Sequence, residues 1–438
     1  MKVQLLSVLL ILMLALIMNN HFLWLHSGPM IKIPIRAAML DSPKYLNHSN
    51  NITKGIQLLW VFDLKTRLTS PIILNDINND SLSDIIVANS TSIIIINGTT
   101  GEPIRTIMLP RGISTYPGIS VYEDILSVDN TLKFLYVTVK RGIYCYNSSG
   151  SLVWQAYVPY YYFRIGVIDL NNDNVPEVIA YPFTGDYIYV LNGINGNLIK
   201  VIRYGHNFGY AIFGDVNNNG IIDIIIAQRD RYLYAIDGEN FSILWKIDTH
   251  ASLQLPYVIY YDNELPRILI AHYYWKNIKI FDGMSGEEID VLVLHQAARI
   301  RTSPVLADIN ADGVLDVIVG SRDYKVCAVS INGRMLWCSD TFGIPTNIIL
   351  GDLSGDNYLD AIVVDDYGYI YVFDGKKGDL IWSYYVVSSI SVCPAIGDID
   401  GDDLNELVVA TDNGYVYAFD FPQSGSRVYW GVFQGSPM

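Results

Sequence analysis

DINNDSLSD occupies residues 76–84, and five further stretches repeat its pattern: DLNNDNVPE (169–177), DVNNNGIID (215–223), DINADGVLD (308–316), DLSGDNYLD (352–360) and DIDGDDLNE (398–406). Their starting points lie 93, 46, 93, 44 and 46 residues apart, and each interval of 93 has room for one degenerate copy. A near-constant period of this length marks a repeat architecture, in which each unit stacks on its neighbours.

Positions one, three, five and nine of the phrase carry side-chain oxygen in all six copies. They are Asp76, Asn78, Asp80 and Asp84; Asp169, Asn171, Asp173 and Glu177; Asp215, Asn217, Asn219 and Asp223. The later copies supply Asp308, Asn310, Asp312 and Asp316; Asp352, Ser354, Asp356 and Asp360; Asp398, Asp400, Asp402 and Glu406. Calcium is a hard cation that takes about six to eight oxygens, and a tight loop offers them from alternate side chains plus one backbone carbonyl. The carbonyls of Leu82, Val175, Ile221, Val314, Tyr358 and Leu404 fall at position seven. Position six (Ser81, Asn174, Gly220, Gly313, Asn357, Asp403) holds residue types that suit a left-handed turn. Plain hairpin turns are also rich in Asn, Asp and Gly, but a turn does not require a carboxylate at position nine, beyond the bend. The pattern therefore predicts up to six calcium sites, the one at Asp215 weakest because it has only two carboxylates. Six divalent ions would offset most of the formal net charge of −15. Unscreened, such clustered charge loosens a compact state.

Each phrase lies between apolar runs. Around DINADGVLD these are residues 303–308 and 316–320 (DVIVG), followed by KVCAVS at 325–330 and a run ending in Trp337. The same order recurs around Trp154, Trp245 and Trp382. Short β-branched and aromatic runs divided by turn residues read as strands, four to a repeat, and no sustained helical spacing interrupts them. Four-stranded units of this period predict an all-β protein, a β-propeller of eight blades spanning residues 55–438. Blades two (near 123–128) and five (near 261–266) lack the phrase. The run at 57–63 with Trp60 is one outer strand too many; it is expected to close the ring against blade eight, whose own outer run is expected at 427–433. The recurring tryptophan is expected to pack outer strands between blades.

FGYAIFGDVNNNGIIDIIIAQ (208–228) resembles an FG-GAP repeat, the unit of the integrin α-subunit propeller, although Ala227-Gln228-Arg229 departs from the Gly-Ala-Pro ending. YVFDGKKGDLIW (371–382) is similar to the repeats of quinoprotein-type propellers. The FG-GAP resemblance implies calcium in the hairpins between first and second strands. It implies no particular partner or activity.

Residues 3–18 are predominantly apolar after Lys2, and the apolar character resumes through Leu25. Residues 1–25 are read as a secretory signal or an uncleaved signal anchor, and 26–54, with sequons at Asn47 and Asn51, as an extracellular stalk. Further sequons begin at Asn79, Asn89, Asn97, Asn147 and Asn240. The protein is therefore expected outside the cell, anchored or secreted. Four cysteines are too few for a disulfide framework. Cys327 and Cys338 flank a tight turn and would bridge if the turn sets them opposite; Cys145 and Cys393 read as small core residues.

The acidic phrases share one face of the ring. The opposite face takes the second-to-third loops and the blade crossovers, where Arg229, Arg231, Trp275, Lys276, Arg299, Arg301 and Arg322 gather. Aromatic rings beside guanidinium groups suit sugar stacking and carboxylate pairing. These residues are the candidate site for an anionic glycan or protein partner, solvated loop charge being the plainer reading. A calcium-bearing binding or adhesion module is the function expected. One alternative is a polysaccharide lyase, which needs a base such as His206, His250 or His295 beside Arg299 or Arg301. A quinoprotein dehydrogenase is the other, weakened because no adjacent cysteine pair exists. The acidic balance disfavours nucleic acid as a partner.

Overall fold

The computed structural model describes residues 55–429 apart from 69, 90, 111–121, 125–133, 140, 160–162, 183–184, 204–207, 229–230, 251–257, 272–276, 296, 298 and 426–427. The signal or anchor segment, the stalk, Arg229, Trp275, Lys276 and His206 lie outside these residues.

The burial of the strands explains their composition. Second and third strands such as Asp84–Ala88 (DIIVA) and Ser92–Ile96 (SIIII) are buried at every position, because neighbouring blades cover both of their faces. Outer strands such as Leu198–Arg203 (LIKVIR) are mostly exposed and correspondingly mixed. β-branched residues suit such doubly covered strands, since their stiff side chains pack on a pleated surface.

The strands form eight antiparallel sheets arranged as blades in a ring, with no helix among the described residues. Within blade three the order runs outward from Phe163–Ile168 through Glu177–Pro182 and Tyr187–Asn192 to Leu198–Arg203. Blades one, two, four, five, six and seven repeat that order. The apolar core lies between blades: one cluster joins Ile318 and Val326 of blade six to Ile348 and Val363 of blade seven. Another joins Ile85 and Ile94 of blade one to Val408 and Val416 of blade eight, so the closing interface is packed like the rest.

Closure uses the N-terminal run, as expected. Gln57–Asp63 pairs antiparallel with Tyr415–Asp420 and serves as the outer strand of blade eight. The expectation that residues 427–433 form that outer strand is corrected. Val428 and Tyr429 pair instead with Gly351 and Leu350 of the innermost strand of blade seven. The reason is steric priority: the outer edge of Tyr415–Asp420 is already filled along its length by the N-terminal strand. The chain after Asp420 crosses the phrase loop of blade seven, where the Gly425 N–H donates to the Asp352 carbonyl at 3.0 Å.

The tryptophans act as latches between blades. The indole N–H groups of Trp60, Trp154, Trp245 and Trp337 each donate, at 2.7 Å, to a glycine carbonyl in the third-to-fourth turn of the next blade: Gly98, Gly193, Gly283 and Gly375. Each ring also fills the space a side chain would need at a left-handed glycine of that turn. At Gly378 (φ 76°) an added Cβ would meet the Trp337 ring at 2.6 Å. Trp60 makes this latch from blade eight to blade one, which ties the ring shut by the same device. Trp382 faces blade eight, whose outer strand arrives from the other end of the chain; it packs edge-on against Phe419 and Phe421 instead.

Cys327 and Cys338 sit directly opposite in the register and form a disulfide. Cys145 is buried, as expected of a core residue, and Cys393 is half-buried.

Candidate metal centres

All six phrases fold as one loop between inner and second strands. Position one caps the far side of the bend: Asp308 accepts the N–H groups of Asp312 and Gly313 at 3.1 and 2.9 Å. Position three accepts the same N–H as position one's first oxygen, Asn310 from Asp312 at 2.9 Å. Position five accepts from position seven, Asp312 from Val314 at 3.0 Å. The loops at Asp76, Asp169 and Asp215 repeat these bonds. Those at Asp352 and Asp398 keep the bond from position six to position one and from position seven to position five, but the other oxygen of position one takes the N–H of position four, Gly355 or Gly401, at 2.6 Å.

Position six is left-handed throughout, as its residue types imply: Ser81, Asn174, Gly220, Gly313, Asn357 and Asp403 have φ between 63° and 82°. Position four is left-handed as well, at Asn79, Asn172, Asn218, Ala311, Gly355 and Gly401. Sequence reading missed this second turn, although Asn and Gly at five of the six positions carried the signal. Ala311, with φ 55°, holds the conformation without either residue's tolerance.

Position nine opens the second strand and is buried. One of its oxygens accepts the backbone N–H of position two in every loop: Asp84 from Ile77, Glu177 from Leu170, Asp223 from Val216, Asp316 from Ile309, Asp360 from Leu353 and Glu406 from Ile399, at 2.8–3.3 Å. At Asp84 and Asp223 the second oxygen accepts the side-chain amide of Asn78 and Asn217 at 3.5 Å, and at Asp223 also the Gly238 N–H at 3.0 Å. At Asp316 (Oδ1) and Glu406 (Oε1) that oxygen is buried and has no hydrogen-bond partner, as is Oδ1 of Asp400 and Oγ of Ser354. Burial accordingly pushes all six position-nine acids up: Asp84, Asp223 and Asp316 to about 6, Glu177 to about 7, Asp360 and Glu406 to about 8. Neighbouring loop carboxylates add to the rise at Asp84, Glu177, Asp316, Asp360 and Glu406, and the adjacent turn's Asp237 does so at Asp223. In the loop at Asp398, carboxylate oxygens of Asp398, Asp400 and Glu406 lie within 4.8 Å of one another. Buried acceptors converging without a donor are the arrangement that a hard divalent cation satisfies.

The structure places the opposite-face candidates less evenly. Arg231 forks onto Asp248, its Nε at 2.7 Å from Oδ1, and this pairing holds Asp248 down at about 2. Arg299, Arg301 and Arg322 come together at blade six: the Arg322 N–H donates to the Arg299 carbonyl at 2.9 Å, and Arg301 to Gly320 at 2.8 Å. Arg299 and Arg322 are exposed and Arg301 half-buried. His250 is exposed on the blade-four crossover beside Asp248. Asn89 is buried, its amide oxygen accepting the Thr91 and Ser92 N–H groups at 2.9 Å, so that sequon is closed to a glycan in the folded ring.

No protein-family model matches the chain, and no curated protein matches it in sequence. Solved structures do. BamB from Moraxella catarrhalis superposes with a TM-score of 0.57 at 15% identity, over 84% of this chain and 100% of that one. The C-terminal WD40 domain of Sif2 gives 0.59 at 18% identity, over 84% and 98%. BBS1N, solved in complex with ARL6DN, gives 0.53 at 14% identity, over 72% and 96%. At these identities the likeness establishes a fold, and the fold is a β-propeller.

Proposed function

We propose that this chain is an exported, calcium-stabilised propeller of the FG-GAP kind that works as a binding or adhesion module. The observation that carries the metal reading is the set of six loops with the same double left-handed bend, each ending on a buried position-nine carboxylate, of which Asp316 and Glu406 keep an oxygen with no hydrogen-bond donor. The ions would pin the hairpin that connects the two innermost strands of each phrase-bearing blade, and the loop residues would hold them through side-chain oxygens and the position-seven carbonyl. Export is supported by the apolar N-terminus and by the Cys327–Cys338 disulfide, since such bonds persist in oxidising compartments.

The partner, an extracellular protein or glycan, would meet the face opposite the loops, where Arg299, Arg301 and Arg322 converge. BBS1N with ARL6DN is a precedent for a partner bound to a protein of this fold. The test is retention on an anionic glycan array and on immobilised extracellular-matrix protein. Exchanging the three arginines for Ala should abolish retention while leaving the melting temperature unchanged; undiminished retention would refute the assignment.

A further inference from the structure

In seven blades the residue at the end of the third strand, or just after it, has a side chain that caps the following turn. Asn192 accepts the Asn195 N–H at 3.2 Å, Asp237 that of Asn240 at 3.0 Å, Asp282 that of Ser285 at 2.9 Å and Asp374 that of Lys377 at 2.8 Å. Asn97 does the same in blade one, while Asn147 in blade two accepts the Ser151 N–H at 2.9 Å and Ser330 in blade six the Asn332 N–H at 3.5 Å. Blade eight has no such turn, because its fourth strand is the N-terminal run. The equivalent residue, Asp420, is thereby released from capping.

Its carboxylate lies outside the 4.8 Å cluster of Asp398, Asp400 and Glu406 but within electrostatic reach of the phrase loop. Oδ1 of Asp420 is buried without a hydrogen-bond partner. The register Leu407↔Phe419, carried one step further, sets Asp420 across from Glu406, as Asn192 stands across from Glu177 and Ser330 from Asp316. Glu406 is fully buried, and its own Oε1 is unpartnered too. Burial and the charges of Asp402 and Asp400 hold the Asp420 acid above its usual range, so the three carboxylates are within electrostatic reach.

We propose that Asp420 is a further ligand of the cation in blade eight, contributed from outside the nine-residue loop. This rests on the calcium reading above. With the side chains of Asp398, Asp400, Asp402 and Glu406 and the Leu404 carbonyl, Asp420 brings the ligating residues to six, inside the range calcium takes. Asp420 is also the residue that pairs with Gln57, at the start of the closing strand. The ion therefore ties the metal loop of blade eight to the seam where the two chain ends meet.

The test uses the full chain, stripped with EGTA and reloaded with calcium alone, and counts bound ions by native mass spectrometry. At a free calcium level that just fills the wild type, Asp420→Asn and Asp398→Asn should each retain one ion fewer. In a calorimetric titration Asp420→Asn should weaken one site by about 10- to 100-fold. In EGTA, Asp420→Asn should melt no lower than the wild type, because a buried acid has been removed; a lower melting point would show a structural role and overturn the proposal. Calcium should slow amide exchange in Gln57–Asp63 of the wild type and lose that effect in Asp420→Asn. Loss of one ion by Asp398→Asn with none lost by Asp420→Asn would overturn the proposal and leave the calcium reading intact. No calcium bound by the wild type would remove both.

Discussion

Replacing Asp316 by Asn should change stability in opposite directions with and without calcium. Asp316 is fully buried, one oxygen bonded to the Ile309 N–H and the other without a donor. Burial moves it from 3.8 to about 6 in the metal-free fold. An acid raised on folding favours the protonated native state: its contribution is complete below the unfolded value and disappears as pH rises through the folded one. At pH 8 the ionised form therefore costs the metal-free protein about 3 kcal/mol, which an isosteric amide would not. The amide keeps an oxygen for Ile309, so metal-free Asp316→Asn should melt higher at pH 8, by on the order of 5 °C, and equal to the wild type at pH 4. In saturating calcium the sign reverses. Losing a ligand weakens that site by about 10- to 100-fold, and up to about 3 kcal/mol of linked stability goes with it. Differential scanning calorimetry at both pH values, with EGTA and with calcium, reads all four cases. A variant that melts lower by the same amount with and without calcium would refute the reasoning, and would make position nine a purely structural acid.

Other expectations are equally specific. Trp337→Phe removes the indole N–H that meets the Gly375 carbonyl and should cost about 1 kcal/mol in denaturant unfolding, whereas Gly378→Ala, which strikes the same ring, should cost more. Exchanging both Cys327 and Cys338 for Ala should lower stability by about 2–3 kcal/mol, measured in urea against the oxidised wild type. Ala311→Gly should relieve the left-handed backbone at position four and raise the melting point slightly, a gain of about 1 kcal/mol or less.

The phrase was legible because four positions of nine carry oxygen-bearing side chains at fixed spacing wherever the loop recurs, and positions one, five and nine accept the loop's own backbone N–H groups. The strands were legible for a similar reason: doubly covered second and third strands such as Asp84–Ala88 admit only apolar side chains beyond their first residue. The seam was not. Both 57–63 and 427–433 have outer-strand composition, and only the prior occupation of the Tyr415–Asp420 edge decides between them. Asp420 was invisible because an Asn or Asp at that position is explained in the other blades by turn capping; its release follows from topology, which no local pattern carries. The arginines of the opposite face belong to loops whose mutual placement depends on backbone contacts such as Arg322 to Arg299, and sequence gives no register for those.

The central claim is that divalent ions occupy the phrase loops, and anomalous diffraction from crystals grown in calcium tests it most directly. Calcium peaks should lie inside the loops that begin at Asp76, Asp169, Asp308, Asp352 and Asp398, with Asp215 filling last. Loops that keep their carboxylates turned to backbone N–H groups alone, with no peak among them at millimolar calcium, would contradict it.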